Sequence, residues 1–326
     1  MEVGLYRRAA AYSVPWSEKA RLFAWLLRAD LPPVVHFFFS PNPATAVALG
    51  LWRRLRRGPR VVQTVMSLPE NSADLQAGVF ADVVVTWSQA ACGEVEKALK
   101  RRRDAVRVVH IRPGIEPLAP ASAAEKADLK ASFGLRPDRP LILYAGDLEF
   151  GSGADVVAAC VEPVLARTDA VFVFACRPKT PAARLVFADL RRRLQRFVAR
   201  GDVRLEGALP RFHELLKCAD VQVLPSETTY AKTDIPLVLL EGLSAQVPAV
   251  VALGTPMAEL VDEGAAIGVP AMEPEALIST LLGLLASPDR TAALGRSGRA
   301  YVLARHTAHA MAEAHADLYR DLLRVV

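Results

Sequence analysis

Residues 231–251 read AKTDIPLVLLEGLSAQVPAVV. A polar, charged run meets the apolar PLVLL, a lone acid, Glu241, follows inside otherwise apolar sequence, and a β-branched strand candidate, VPAVVAL, begins at residue 247. A carboxylate in an apolar segment is costly unless it is hydrogen-bonded or paired, so Glu241 is expected to have a dedicated partner, in the protein or in a ligand.

The same alternation of helix-like segments and short apolar runs extends outward in both directions. Toward the C-terminus lies the short run AIGVP (266–270). Toward the N-terminus lie DVQVLPS (220–226), VRLEG (203–207), AVFVFAC (170–176) and PLILYAG (140–146), and further back VRVVHI (106–111), DVVVTW (82–87), RVVQTVM (60–66) and VVHFFF (34–39). Such runs, buried on both faces and separated by helices, are the pattern of parallel βαβ units, so the expected class is α/β. Helices are expected between them, including PATAVALGLWRRL and SQAACGEVEKALKRR, the second opening on a Ser88 cap. Near residues 114–122 a Pro-, Ala- and Ser-rich stretch breaks the rhythm and marks a linker. The division that follows is an N-terminal Rossmann-like domain over 1–115, a second Rossmann-like domain over 123–302, and a C-terminal helix over 303–326 whose apolar residues at helical spacing permit it to pack back on the first. In such sheets ligands sit beyond the carboxyl ends of the strands. The positions to watch are therefore Ser40 to Asn42, Ser67 to Glu70, Gly146 to Gly153, Arg177 to Lys179, Glu206, Ser226, Glu227 and the loop before Glu241.

A chain of 326 residues suits two domains of about 150 residues each. Its 52% hydrophobic and 23% charged residues are a globular composition, and no apolar run reaches the roughly 18 residues that span a bilayer. The opening MEVGLYRRAAAYSVPW has no apolar core and cleavage site of a secretory signal, which points to the cytoplasm. Cys92, Cys160, Cys176 and Cys218 show no CxxC spacing and are expected as buried thiols, and no metal site is expected. Residues 1–110 carry 16 Lys/Arg against 9 Asp/Glu, in clusters such as RRLRRGPR (53–60) and KRRR (100–103). Without interleaved aromatics these read first as a solvated basic face, with peripheral contact at the inner face of a membrane as the alternative. Nucleic acid is not expected as a partner. His306, His309 and His315 lie on a terminal helical stretch without the glutamate of a zinc hydrolase and read as a solvated helix face, whereas His36 and His110 sit inside strand runs. Neither GxSxG nor GxxxxGK[ST] occurs, which argues against a serine hydrolase and a P-loop nucleotidase.

In order and spacing, VRVVHIRPGIEP, ILYAGDLEFGSGADVVAA, LEGALPRFHELLKCADVQVLPS and PLVLLEGLSAQVPAVV resemble the retaining, nucleotide-sugar-dependent glycosyltransferases of the glycogen-synthase-like family four. The resemblance covers about residues 106–320 and implies the GT-B fold, two Rossmann-like domains facing across a cleft, with the N-domain reduced here. It also implies a nucleoside diphosphate sugar as donor substrate and no separate cofactor, with an unidentified glycan, lipid or small-molecule acceptor. Glu241 takes the place of the family's second glutamate, which contacts the donor sugar or ribose. The backbone N–H groups beside it, at Leu237 and Val238, hold the diphosphate at a helix start.

Four departures accompany the match. Thr233 stands where the first glutamate belongs, with only Asp234 beside it to substitute in part. Asp147 and Ser152 replace the arginine and lysine that neutralise the diphosphate, Met66 replaces a histidine, and the N-terminal glycine-rich loop has no counterpart. Compensation is expected from Arg177, Lys179 and Lys232, or from a backbone nest in GDLEFGSGAD, with Gly146, Gly153 and Glu206 lining the site and Glu149 as an exposed acid. Two functions fit these residues: transfer of the sugar with retention, carried by Glu241 and Asp234, or a catalytically silent GT-B protein that binds a nucleotide, a glycan or a partner enzyme.

Overall fold

Val, Ile and Phe favour extended backbone and fill both faces of a parallel sheet, and the runs rich in them form the strands of this protein. The computed structural model describes residues 15–28, 30–38, 41–56, 58–100 and 106–324. Ser40, the opening MEVGLYRRAAAYSV and most of KRRR lie outside them. The chain divides into two compact units, one of Met1–Ile111 with Ala314–Val326 and one of Arg112–Glu313, so the first boundary falls ahead of the stretch 114–122.

The first unit runs α1 (Trp16–Arg28), β1 (Val34–Phe38), α2 (Pro43–Leu55), β2 (Arg60–Val65), α3 (Ser72–Gly78), β3 (Val83–Thr86), α4 (Gln89–Leu99) and β4 (Arg107–His110). Its strands are parallel and lie in the order β1-β2-β3-β4. The helices begin where side chains satisfy their first N–H groups: Asn42 accepts from Thr45 N at 3.1 Å ahead of Pro43, and Ser88 accepts from Ala91 N at 3.0 Å. Trp52, fully buried, anchors α2 on the sheet beside Leu49, Val61 and Phe80, and its indole N–H donates to Leu26 O at 3.1 Å.

The second unit runs α5 (Ala123–Ser132), β5 (Leu141–Tyr144), α6 (Gly153–Leu165), β6 (Val171–Ala175), α7 (Pro181–Arg193), α8 (Gln195–Arg200), β7 (Val203–Glu206), α9 (Phe212–Cys218), β8 (Val221–Leu224), α10 (Leu237–Ser244), β9 (Ala249–Ala252), α11 (Glu259–Asp262), β10 (Ile267–Val269), α12 (Pro274–Leu285), α13 (Pro288–Arg305) and α14 (Ala308–Arg324). Its six parallel strands lie in the order β10-β9-β8-β5-β6-β7. The chain winds outward from β5 to β7, returns, and winds the other way from β8. The point of reversal, where the loops after β5 and β8 meet, is where a doubly wound sheet opens a crevice for a ligand.

The C-terminal stretch departs from the single helix expected from residue 303. It breaks between α13 and α14, where Thr307 pairs with Ile115 in an isolated bridge: Ile115 N donates to His306 O and Ala308 N to Ile115 O, both at 2.8 Å. His306 is buried there, 2% exposed, with Nδ1 2.8 Å from Pro113 O, rather than solvated. From Ala314 onward α14 belongs to the first unit, with His315, Leu318 and Leu322 buried. Among the three histidines only His309 fits the expected solvated face, beside Glu313 at 3.3 Å. In the same unit His36 of β1 places Nδ1 2.6 Å from the Tyr319 hydroxyl and Nε2 2.7 Å from Thr64 Oγ1.

Candidate functional site

The β5–α6 loop is built by Asp147. Its Oδ1 accepts from Glu149 N at 2.5 Å and Phe150 N at 3.0 Å, a local turn of the kind Asp favours, and its backbone carbonyl accepts from the buried Tyr144 hydroxyl at 3.2 Å. Burial pushes that phenol well above its ordinary pKa. Glycine is needed where these groups crowd: a Cβ on Gly146 would lie 2.2 Å from the Tyr144 ring, and one on Gly153 2.3 Å from Ser226 Oγ.

The loop after β8 closes over this turn with charged side chains. Glu227 accepts from Ser152 N at 3.1 Å and from Ser152 Oγ at 2.7 Å, so a carboxylate of the protein occupies the start of α6, an end that attracts anions. Lys232 Nζ lies 3.4 Å from Asp147 Oδ2 and 3.5 Å from Glu149 Oε2, and sits over the Phe150 ring at 5.3 Å. Phe150 in turn packs edge-on against Tyr230. Glu149 is a buried side chain, 3% exposed, and not the exposed acid expected; its other oxygen accepts from Lys179 N at 2.9 Å.

Two expectations are corrected here. The backbone N–H groups of Glu149, Phe150 and Ser152 already serve Asp147 and Glu227, so in this conformation they form no open nest for a phosphate. Lys232, offered as a compensating cation, is shared between two carboxylates. Arg177, one strand away, is exposed and makes no ion pair or hydrogen bond among the described residues.

Helix α10 opens on Pro236 with no side chain capping it, which leaves the N–H groups of Leu237 and Val238 facing away from the helix hydrogen bonds. Leu237 is 37% exposed. Glu241 follows one turn later, its side chain 24% exposed and its Oε1 3.4 Å from His213 Nε2. Sequence reasoning missed His213, because nothing in RFHELL marks it. Glu227 was among the positions to watch directly after its strand, but its role at the start of α6 was not foreseen. Asp234 lies deeper, 1% exposed, so its carboxylate is withdrawn from solvent. Glu206 is paired with Arg204 at the end of β7, the far edge of the sheet. It lines a separate recess of about 450 Å³ with Arg136, Arg191 and Arg200, and is not brought to the loops after β5 and β8. The four cysteines are buried and unpaired, and burial pushes Cys176, just after β6, up to about 12, which keeps it a thiol.

Comparison with known proteins places the second unit. Residues 139–287 match the family described as glycosyl transferases group 1. The D-inositol 3-phosphate glycosyltransferase of Segniliparus rotundus is 24% identical over 225 residues, which are 68% of this chain and 48% of that protein, so the chain spans about half the length of this relative. Among solved structures, Anabaena HepE in complex with UDP and glucose superposes with a TM-score of 0.77 at 15% identity, covering 93% of this chain and 81% of that one. Sucrose-phosphate synthase of Thermosynechococcus elongatus gives 0.76 at 20% identity, covering 96% and 81%. At these identities the structural likeness concerns the fold, which is GT-B.

Proposed function

We propose, from the match of residues 139–287 to the glycosyl transferases group 1 family and from the GT-B fold, that this chain is a glycosyltransferase with a nucleoside diphosphate sugar as donor. The observation that carries this is the start of α10, where two N–H groups without a side-chain cap stand one turn ahead of a half-buried carboxylate. Leu237 N–H and Val238 N–H would hold the diphosphate, where the helix end favours negative charge. Glu241 would accept hydrogen bonds from hydroxyls of the sugar or ribose. Transfer with retention then needs the leaving diphosphate stabilised and the acceptor hydroxyl held on the same face as the leaving group. Arg177, exposed just after β6, is a cation placed for that stabilisation while Lys232 is engaged, with Lys179 two residues further on. The acceptor is a glycan, a lipid or a small molecule, and the donor needs no separate cofactor.

A silent GT-B protein that binds a nucleotide, a glycan or a partner enzyme is the second reading. The carboxylates of Asp147 and Glu149 around one lysine, with Glu227 at the start of α6, favour it, because a diphosphate meets net negative charge there. Calorimetric titration of UDP- and GDP-sugars, followed by product detection with mixed acceptors, separates the two. Binding with turnover supports the enzyme, binding without turnover supports the silent protein, and no binding overturns the donor assignment.

A further inference from the structure

Helix α2 is apolar on two faces. Ala46, Leu49 and Trp52 face the core, while Val47, Leu51 and Leu55, four residues apart along one stripe, are 74%, 51% and 60% exposed, with Ala44 and Ala48 exposed beside them. A helix apolar all round is normally covered on every side. This stripe ends in basic residues, Arg54 and Arg56, and Arg60 follows. Helix α1 of the same unit exposes Trp16 at 80% and Trp25 at 36%, with Lys19, Arg21 and Arg28 among its exposed residues. From Trp16 to Arg60 the sequence carries eight Lys/Arg against two Asp/Glu.

We propose that the outer face of α2, with the basic residues at its end, docks on an anionic lipid bilayer. Aliphatic side chains in one stripe, arginines at its end and exposed tryptophans nearby are what an interfacial helix needs: the stripe enters the acyl boundary and the cations meet the headgroups. Charge decides between occupants. A second copy would bring the same net positive charge to the contact, whereas an anionic surface neutralises it. Among the described residues no helix is long and apolar enough to cross a membrane. Docking by this face does not rest on the transferase assignment.

The test is flotation of the full chain with vesicles of phosphatidylcholine alone and of phosphatidylcholine mixed with phosphatidylglycerol. The protein should float with the anionic vesicles, and raised salt should release it. Leu51→Glu and Val47→Glu should each lower the bound fraction about tenfold or more, since a carboxylate cannot enter the acyl boundary. Both positions are exposed, so circular dichroism and melting should stay as in the wild type, and a variant that fails this check is replaced by Leu51→Gln. No flotation with anionic vesicles, or equal flotation of both folded variants, overturns the proposal. So does a dimer that Leu51→Glu abolishes in a protein that never floats, which would assign the face to a second copy.

Discussion

Among the described residues the ionisable side chain beside Glu241 is His213, and the exposed part of the carboxylate is available to hydroxyl groups. Glu241→Gln keeps the shape and one carbonyl acceptor but removes the charge. Losing a charge-assisted hydrogen bond of about 1.5 to 3 kcal/mol should slow sugar transfer by about one to two orders of magnitude, measured as kcat/KM, with melting unchanged. A loss of melting temperature with unchanged nucleotide affinity would instead make Glu241 a structural acid. His36 gives a second prediction. Burial, with His315 close by, lowers its pKa from 6.5 to about 4 in the folded state. The unfolded chain therefore takes up the proton first, so stability that is present above about pH 6.5 declines as pH falls and levels off below about 4. For a half-buried group the loss should be of the order of 1 to 2 kcal/mol. Urea midpoints at pH 7 and pH 4.5 should show it in the wild type and show less of it in His36→Gln. Glu241 stood out in the sequence as a candidate because an acid in an apolar run has few other uses. His36 was legible only as a strand residue, since its partners Thr64 and Tyr319 come from two other elements.

At the scale of elements, the strands were readable because burial on both faces writes itself into short β-branched runs, and Ser88 was readable as a cap because its chemistry is local. The loop after β5 was not. GDLEFGSGAD has the glycines and serines of an anion nest, yet its N–H groups are claimed by Asp147 and by Glu227, 75 residues from Ser152 in the chain. Only the strand order, with β5 beside β8, brings Glu227 there. Two unit charges about 5 Å apart interact by about 3 kcal/mol at an effective dielectric of about 20, so three carboxylates outweigh the single Lys232 against an incoming phosphate. Glu227→Gln and Asp147→Asn should thus each tighten nucleoside diphosphate binding, by about a hundredfold per charge removed. Unchanged affinity in both would place the diphosphate away from the start of α6. Gly153→Ala should cost about 1 to 3 kcal/mol of stability, because its methyl group would lie 2.3 Å from Ser226 Oγ in the packed loops. Chemical denaturation measures it.

For the whole molecule, the second unit is one continuous stretch of chain, whereas the first is assembled from two stretches that lie on either side of it in sequence. Both connections leave the second unit within one hydrogen-bonded patch, where Ile115 bridges Thr307 and Gly114 has no room for a side chain against Thr307 O, 2.4 Å from where a Cβ would be. Ending the chain after Glu313 should leave the second unit's melting transition in place. It should abolish that of the first, which loses Leu318, Leu322 and the Tyr319 hydroxyl bonded to His36. Two intact transitions after this truncation would show that the last helix is dispensable. The arrangement also inverts the usual order of events on the ribosome. Domains generally complete themselves from the N-terminus as they emerge. Here the N-terminal segment must wait, its sheet lacking the α14 turns, until translation has passed residue 319, by which time the later-made unit has all its strands. Over that interval the growing polypeptide exposes apolar surface that the finished protein buries, and this is when a chaperone would have most to hold.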